Sequence, residues 1–176
     1  MHAMSDTSPT PFQWRPMTAA DLAQVDVLAQ RIHPDFPERI AVLAEKFELF
    51  PDGCFVLGGP DARLSGYCFS HPWRGGQPPA LDTFLTSLPD KPDAHFIHDV
   101  TVDASLRRRS LASVLVPKLV DVARAIPVSR MILVAVSGSG PFWTRMGFQR
   151  TDDEALQAAT RAKYGAGAMH MQRELT

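Results

Sequence analysis

Residues 96–116 read FIHDVTVDASLRRRSLASVLV, and the order of residue types in this stretch decides the fold. The run from Phe96 to Val102 is apolar and β-branched enough to be a strand buried in a sheet. After the basic turn, Leu111, Leu115, Leu119, Val122 and Ile126 recur at helical spacing. A strand that delivers the chain onto a helix N-terminus makes an anion site. The first-turn N–H groups lack partners there, and the dipole end is positive. Arg107, Arg108 and Arg109 crowd that end, and the small residues Ser110 and Ala112 let an anion come close to the backbone. The expected guest is a phosphate or pyrophosphate.

Working outward, residues 131–136 are almost wholly apolar, as in a strand covered on both faces. A short helix is expected at 142–146, and strands at 149–150 and 168–174, with a helix or loop at 153–164 between them. Pro117 falls inside the helix that follows the basic turn and is expected to bend it. Upstream, 12–17 reads as a first strand. Thr18-Ala19-Ala20-Asp21 then has capping-box spacing ahead of a helix bearing Leu22, Val25, Leu28, Ala29 and Ile32. After a turn at 33–37, a second helix starts at Glu38 and buries Ile40, Leu43 and Phe47, with Phe50 at its end. Residues 54–57 and 64–70 read as a hairpin around Gly58-Gly59-Pro60-Asp61. The stretch 71–94 is irregular and rich in Pro and Gly, with one apolar piece at 81–88. It is either part of a substrate wall or a surface insertion without substrate contact.

The chain has 176 residues, 45% of them hydrophobic, which suffices for one domain with a true core. Residues 1–10 are polar and expected to be disordered, with a single domain over 11–176. The formal net charge of -1 gives no reason to expect a nucleic-acid or anionic membrane surface. No apolar run reaches the roughly 18 residues of a membrane span, and the first residues lack the apolar core of a signal peptide. Cys54 and Cys68 are too few for a disulfide framework and read as buried thiols, so a cytoplasmic setting is expected. His33, His71 and the cysteines show no metal-ligand spacing, so no metal is expected. Ser137-Gly138-Ser139-Gly140 is not a nucleophile elbow; it reads as a place where the chain passes close to a ligand.

Arg107-x-x-Ser110-x-Ala112 resembles the pyrophosphate loop of the GNAT N-acetyltransferases, Gln/Arg-x-x-Gly-x-Gly/Ala. His98-Asp99-Val100-Thr101-Val102-Asp103 resembles that family's fourth strand, and Ser139 through Gly147-Phe148 resembles its later helix, which ends in Gly-Phe. The likeness covers residues 94–150 well and the first half only as a pattern of elements. It implies an α/β, GNAT-like fold: a central mixed sheet of six to seven strands, flanked by helices and splayed at the fourth and fifth strands. It also implies acetyl-CoA as co-substrate. The pantetheine arm would pair with the backbone of Val100, Thr101 and Val102. The pyrophosphate would meet the N–H groups of Arg107, Arg108, Arg109, Ser110, Leu111, Ala112 and Ser113. Phe142 and Trp143 would wall the pantetheine channel, and Ser137 or Ser139 would stand in for the family's usual Asn. Two departures stand out: Ser110 replaces the usual Gly, forbidding glycine-only geometry, and Trp143 replaces a Tyr that would protonate the leaving thiolate.

For the chemistry, the resemblance points to His98 and Asp99. Histidine has an unperturbed pKa of about 6.5, which suits a general base. Aspartate suits the anchoring of a cationic amine, and its position matches an acidic residue on this strand in polyamine acetyltransferases. A buried structural histidine and a turn-stabilising aspartate are the competing readings. In a regular strand the two side chains would point to opposite faces, and a bulge would change that. His95 is a lesser candidate, and Tyr67 and Tyr164 take no assignment by position. The implied reaction is acetyl transfer to a primary amine of a small molecule, or of a peptide, by direct attack. Two rivals stay open. One is a GNAT-like acyl-CoA-binding module without turnover, and the other is a polyanion binder using Arg107, Arg108 and Arg109. The latter is disfavoured by the near-neutral charge. A homodimer is left open.

Overall fold

The computed structural model describes residues 11–176, so the expected disorder of residues 1–10 falls outside the described residues. A seven-stranded sheet runs through them in the order β1-β2-β3-β4-β5-β7-β6. The elements in chain order are β1 (Gln13–Pro16), α1 (Leu22–Ile32), α2 (Ile40–Leu49), β2 (Phe55–Gly58), β3 (Leu64–Trp73), β4 (Ala94–Val102), α3 (Leu111–Arg124), β5 (Arg130–Ala135), α4 (Gly140–Arg145), β6 (Gln149–Arg150), α5 (Glu154–Tyr164) and β7 (Met169–Glu174). The sheet is mixed: β4 and β5 run parallel, and every other neighbouring pair is antiparallel.

Two apolar layers hold the helices to the sheet. Under α3, Leu111, Leu115 and Leu119 pack with Ile97, Met131, Leu133, Trp143 and Phe148. Under α1 and α2, Val25, Leu28 and Leu43 pack with Val56, Tyr67 and Phe69. Burying each such side chain is worth about 1.5–3 kcal/mol, which sets which face each helix presents. The expected capping box is present, with the Thr18 and Asp21 side chains each bonded to the other's backbone. α3 runs unbroken through Pro117.

Several boundaries differ from expectation, two of them for a clear physical reason. β3 continues past residue 70 to Trp73. β2 has already ended opposite Cys68, so Pro72 sits beside a free strand edge, where a missing N–H is tolerated. α2 starts at Ile40 rather than Glu38, because Arg39 is extended and donates its N–H to the Asp82 carboxylate from the long loop. This leaves Glu38 outside the helix and free to face the site. The last strand begins at Met169, and the connection before it is the helix α5.

Two irregularities open the centre of the sheet. β4 pairs with β5 only from Ala94 to Ile97, opposite Arg130 to Leu133, and beyond Ile97 the two strands part. On its other edge, β4 carries a bulge. Phe69 faces Asp99 and Ser70 faces Ile97, so His98 is the extra residue. Gly66 is needed where β3 crosses this region, since a Cβ there would lie 2.6 Å from the Thr101 carbonyl oxygen.

Candidate active site

Three cavities share walls along the split between β4 and β5. The outermost, about 440 Å³, lies at the N-terminus of α3 between the loop after β4 and α4. The middle one, about 350 Å³, follows the parted strands. The innermost, about 70 Å³, ends among residues of the connection between α1 and α2, of α5 and of the long loop. Arg107, Ala112 and Phe142 line both the outer and middle cavities. His33, His98, Asp99, Val134 and Val136 line both the middle and inner ones.

The outer cavity is built by backbone. Val114 N–H is the first in α3 to find a helical acceptor, the Ser110 carbonyl. The N–H groups of Leu111, Ala112 and Ser113 have no backbone acceptor among the described residues, and all three residues line the cavity. Arg108 (φ 70°) and Ser110 (φ 56°) are both left-handed, which turns the loop over the helix end. Serine thus adopts the backbone that the family's glycine would favour, at a steric cost of about 1–2 kcal/mol. The Ser113 hydroxyl donates to the Ser110 carbonyl at 2.6 Å. Arg107 and Arg108 line this cavity and Arg109 does not; Arg145 and Met146 of the α4 segment, which sequence reasoning passed over, close its far side.

Ser137, Ser139, Phe142 and Trp143 line the middle cavity together with Val100, and Val102 lines the outer one. Ser137 (φ 52°) and Gly138 (φ 73°) are consecutive left-handed residues, so the backbone curls around the channel there. The Thr101 side chain points away from the channel's outer parts, into the polar network described next.

The inner end carries the titratable groups. Because of the bulge, His98, Asp99 and Phe96 all line one cavity, rather than alternating across the strand. Asp99 accepts hydrogen bonds from the Tyr67 hydroxyl at 2.9 Å and the Thr101 hydroxyl at 2.8 Å. The Thr101 proton is used in that bond. His33 Nε2, 2.7 Å from Thr101 Oγ1, must therefore be the donor, and it lies 3.7 Å from Asp99. Burial, and then the Asp99 charge, push the Tyr67 phenol far above its ordinary range, so it keeps its proton and acts as a donor.

His98 is almost fully buried, and its Nε2 lies 2.7 Å from a Glu38 carboxylate oxygen. The other Glu38 oxygen accepts the Asp82 N–H at 3.1 Å. Burial alone would raise the Glu38 carboxyl. The hydrogen bond and charge of His98, the Asp82 N–H and the nearby Lys46 ammonium outweigh burial and hold it below its usual value. Glu38 is therefore an acceptor and Nε2 the donor, which leaves His98 Nδ1 as the free ring nitrogen; it has no partner among the described residues. Lys46, buried under the long loop, reaches the Thr83 carbonyl at 3.4 Å.

The long loop walls this end through Leu81. It is tied down by the Arg39–Asp82 ion pair and by the Glu45 carboxylate, which accepts the N–H groups of Leu85 and Thr86. The Tyr164 hydroxyl donates to the Pro79 carbonyl. His95 lies elsewhere: it is fully buried, with Nε2 2.9 Å from Ser70 Oγ, and lines none of the three cavities. Burial lowers it to about 4 and His71 to about 3. Cys54 and Cys68 are buried free thiols raised by burial. Among the described residues no group of three or more His, Cys, Asp or Glu is placed to hold a metal ion, and no helix is long and apolar enough to cross a membrane.

His33, Glu38, Tyr67 and Arg145 went unassigned in the sequence. His33, Glu38 and Tyr67 reach the bulge from segments with no motif of their own, whereas Arg145, on the segment that resembles the family's later helix, lines the outer cavity.

The model of the acetyltransferase (GNAT) family matches residues 21–148. No curated protein matches the chain. Among solved structures, the loading GNATL domain of CurA from Lyngbya majuscula superposes with a TM-score of 0.75 at 11% identity, over 93% of this chain and 98% of that one. Ard1 from Thermoplasma volcanium gives 0.68 at 14% identity, over 95% and 99%. Arabidopsis thaliana Naa50, in complex with a bisubstrate analogue CoA-Ac-MVNAL, gives 0.66 at 14% identity, over 93% and 99%. At these identities the likeness is one of fold.

Proposed function

We propose, on the premise that this chain belongs to the GNAT acetyltransferase family, that residues 11–176 are a single N-acetyltransferase domain that moves an acetyl group from acetyl-CoA to a primary amine of a small molecule. The observation that carries this reading is the continuity of the channel. It leads from three unpartnered N–H groups at the α3 N-terminus, past the free edge of β4, to the carboxylate of Asp99.

The residues fit each part of the co-substrate. The N–H groups of Leu111, Ala112 and Ser113, with Arg107 and Arg108, match a pyrophosphate. The backbone of β4 from His98 to Val102, unpaired toward β5, matches an amide-bearing pantetheine arm. Bound there, acetyl-CoA supplies the activated thioester. Asp99 holds the acceptor ammonium, with Tyr67 and Thr101 fixing its carboxylate. His98 lines the cavity beside Asp99 and takes the proton; Nδ1, the ring nitrogen left free by Glu38, is itself buried, and Glu38 is the positioning residue that sets the ring. The amine nitrogen then attacks the thioester carbon, the C–S bond breaks, and the thiolate leaves with a proton from water or from a serine of the 137–139 turn. Positioning of the two reactants supplies much of the rate. A cytoplasmic setting goes with this reading. The rival, a binding module without turnover, rests on Trp143 standing where a tyrosine would protonate the thiolate.

Calorimetry with acetyl-CoA tests the outer site, with wild type beside an Arg107→Ala/Arg108→Ala variant. Micromolar binding that weakens at least tenfold in the variant supports the reading, at about 1.5–3 kcal/mol per charged hydrogen bond. A folded wild type that does not bind overturns it. Binding without release of CoA on any amine favours the rival.

A further inference from the structure

The inner cavity differs from the rest of the channel in what it lacks. Six of its walls are apolar or aromatic: Phe36, Leu81, Phe96, Val134, Val136 and Tyr164. Tyr164 presents its ring, since its hydroxyl is spent on the Pro79 carbonyl. The cavity's polar groups are His33, Glu38, His98 and Asp99. Glu38 is engaged by His98 and Asp82 N–H, with the Lys46 ammonium near enough to lower its carboxyl. Among the described residues, Asp99 is bound only by neutral hydroxyl groups, with His33 at 3.7 Å. The cavity therefore has one carboxylate without a permanently charged partner, and no lysine or arginine in its lining.

We infer that the acceptor is a compact monoamine, with one ammonium on a short branched aliphatic body and no carboxylate of its own; this rests on the acetyltransferase reading above. The inner cavity, about 70 Å³, is smaller than the roughly 150 Å³ that a benzene ring fills in an engineered cavity, so it takes only the branched end of such a body, with the ammonium at Asp99 on the wall shared with the middle cavity. A polyamine would bring a second ammonium into an apolar wall, where an unpaired charge is costly. An amino acid would bring a carboxylate beside Asp99 and Glu38, and Arg107, which lines the adjoining middle cavity, is already taken by the pyrophosphate in the reading above. A peptide N-terminus would have to pass the long loop, which four side chains fasten over this end: Arg39 and Glu45 at Asp82, Leu85 and Thr86, Lys46 at Thr83, and Tyr164 at Pro79.

The test pairs molecules that differ in one group. 3-Methylbutylamine is leucine without its carboxylate. It is compared with leucine, spermidine and a leucyl peptide amide, by CoA release with acetyl-CoA and by calorimetry on the CoA-bound protein. The expected result is a kcat/KM and a binding constant for 3-methylbutylamine at least tenfold better than for the other three. A higher value for leucine, spermidine or the peptide overturns the inference while leaving acetyl transfer standing. Selective binding of 3-methylbutylamine with no CoA release from any amine upholds the cavity's selectivity and overturns the acetyltransferase reading instead. No binding of any of the four overturns the inference. In a second variant, Leu81→Glu adds a carboxylate at the wall, outside the proposed catalytic groups. It should improve spermidine relative to 3-methylbutylamine by at least tenfold, and an unchanged ratio counts against the assigned cavity.

Discussion

At the α3 end of the channel, most of what faces the cavity comes from residues 102–113, with Phe142, Arg145 and Met146 closing the far side, and its polarity is that of main-chain N–H groups and arginines. At the opposite end, the polar groups come from five places in the chain: His33 after α1, Glu38 before α2, Tyr67 on β3, and the bulge and tail of β4. The first is a local device. A strand, a left-handed turn and a helix N-terminus make it wherever they occur in that order. The second exists only once the sheet has closed, because a carboxylate and an imidazole must meet hydroxyls and carboxylates that are 32 to 68 residues away in sequence. One end can therefore be altered without the other, and that separability can be tested.

The largest effect is expected at Asp99. Asp99→Asn keeps the shape and can still accept one of the two hydroxyl bonds, but it removes the charge that faces the inner cavity. We expect kcat/KM to fall at least 100-fold, the lower end for loss of a proton-handling or anchoring group, with acetyl-CoA affinity within about twofold of wild type. Measured beside Arg107→Ala/Arg108→Ala, this gives a crossed pattern: one variant loses turnover and keeps cofactor affinity, the other loses affinity first. Loss of both properties in both variants would mean that the two ends form one cooperative unit.

The same contrast explains what could be read in the sequence. The 96–116 stretch gave strand, turn and helix, because hydrophobic period and residue size act over a few neighbours; all three are present, and Arg107, Arg108, Ser110, Leu111, Ala112 and Ser113 do line one cavity. The seven-stranded mixed sheet followed from the resemblance and the alternation of elements. His98 and Asp99 could be named from their strand, but not their common face, which depends on a bulge that the β3 register creates. Tyr67 could not be assigned, because its pairing opposite Thr101 is fixed by strand register alone. The sequence pattern places Glu38 at the start of a helix. It is outside the helix because Asp82, from a loop with no periodicity, takes the N–H of Arg39.

An intermediate effect separates the surroundings of the two ends by pH. Two buried histidines, on β3 and β4, line none of the three cavities: burial holds His71 at about 3 and His95 at about 4, against an ordinary value of 6.5. On β7, burial likewise holds His170 at about 4. Below pH 6.5 the unfolded chain takes up protons that the folded chain refuses, so stability falls as pH falls, down to the folded values near 3–4; above 6.5 these groups contribute no pH dependence. Each costs up to about 1.4 kcal/mol per pH unit inside that window. At 2–4 °C per kcal/mol, Tm should drop by at least about 5 °C between pH 7 and pH 5. Asp21 behaves differently. Its hydrogen bond from Arg15 lowers it to about 2, so its stabilisation is intact above the ordinary 3.8 and is lost progressively as pH falls from there through 2. A melting temperature that stays level from pH 7 to pH 5 and falls only below pH 4 would assign acid sensitivity to Asp21 and not to the histidines.

The smallest effect belongs to Ser110, and it asks whether the α3 end is truly built from backbone. At φ 56° and ψ 19° the residue is left-handed, and its side chain makes no cap bond to the helix. Ser110→Gly relieves a steric cost of about 1–2 kcal/mol but adds freedom to the unfolded chain worth about 0.4–1 kcal/mol. The net is a stabilisation of about 0–1.6 kcal/mol, or up to roughly 6 °C in Tm by thermal melting. Acetyl-CoA affinity should stay within about threefold, since the N–H groups of Leu111, Ala112 and Ser113 are untouched. A tenfold loss of affinity would show that the Ser110 hydroxyl itself holds a phosphate. The outer end would then depend on a chosen side chain, as the inner end does, and the contrast between a backbone site and a side-chain site would fail at that residue.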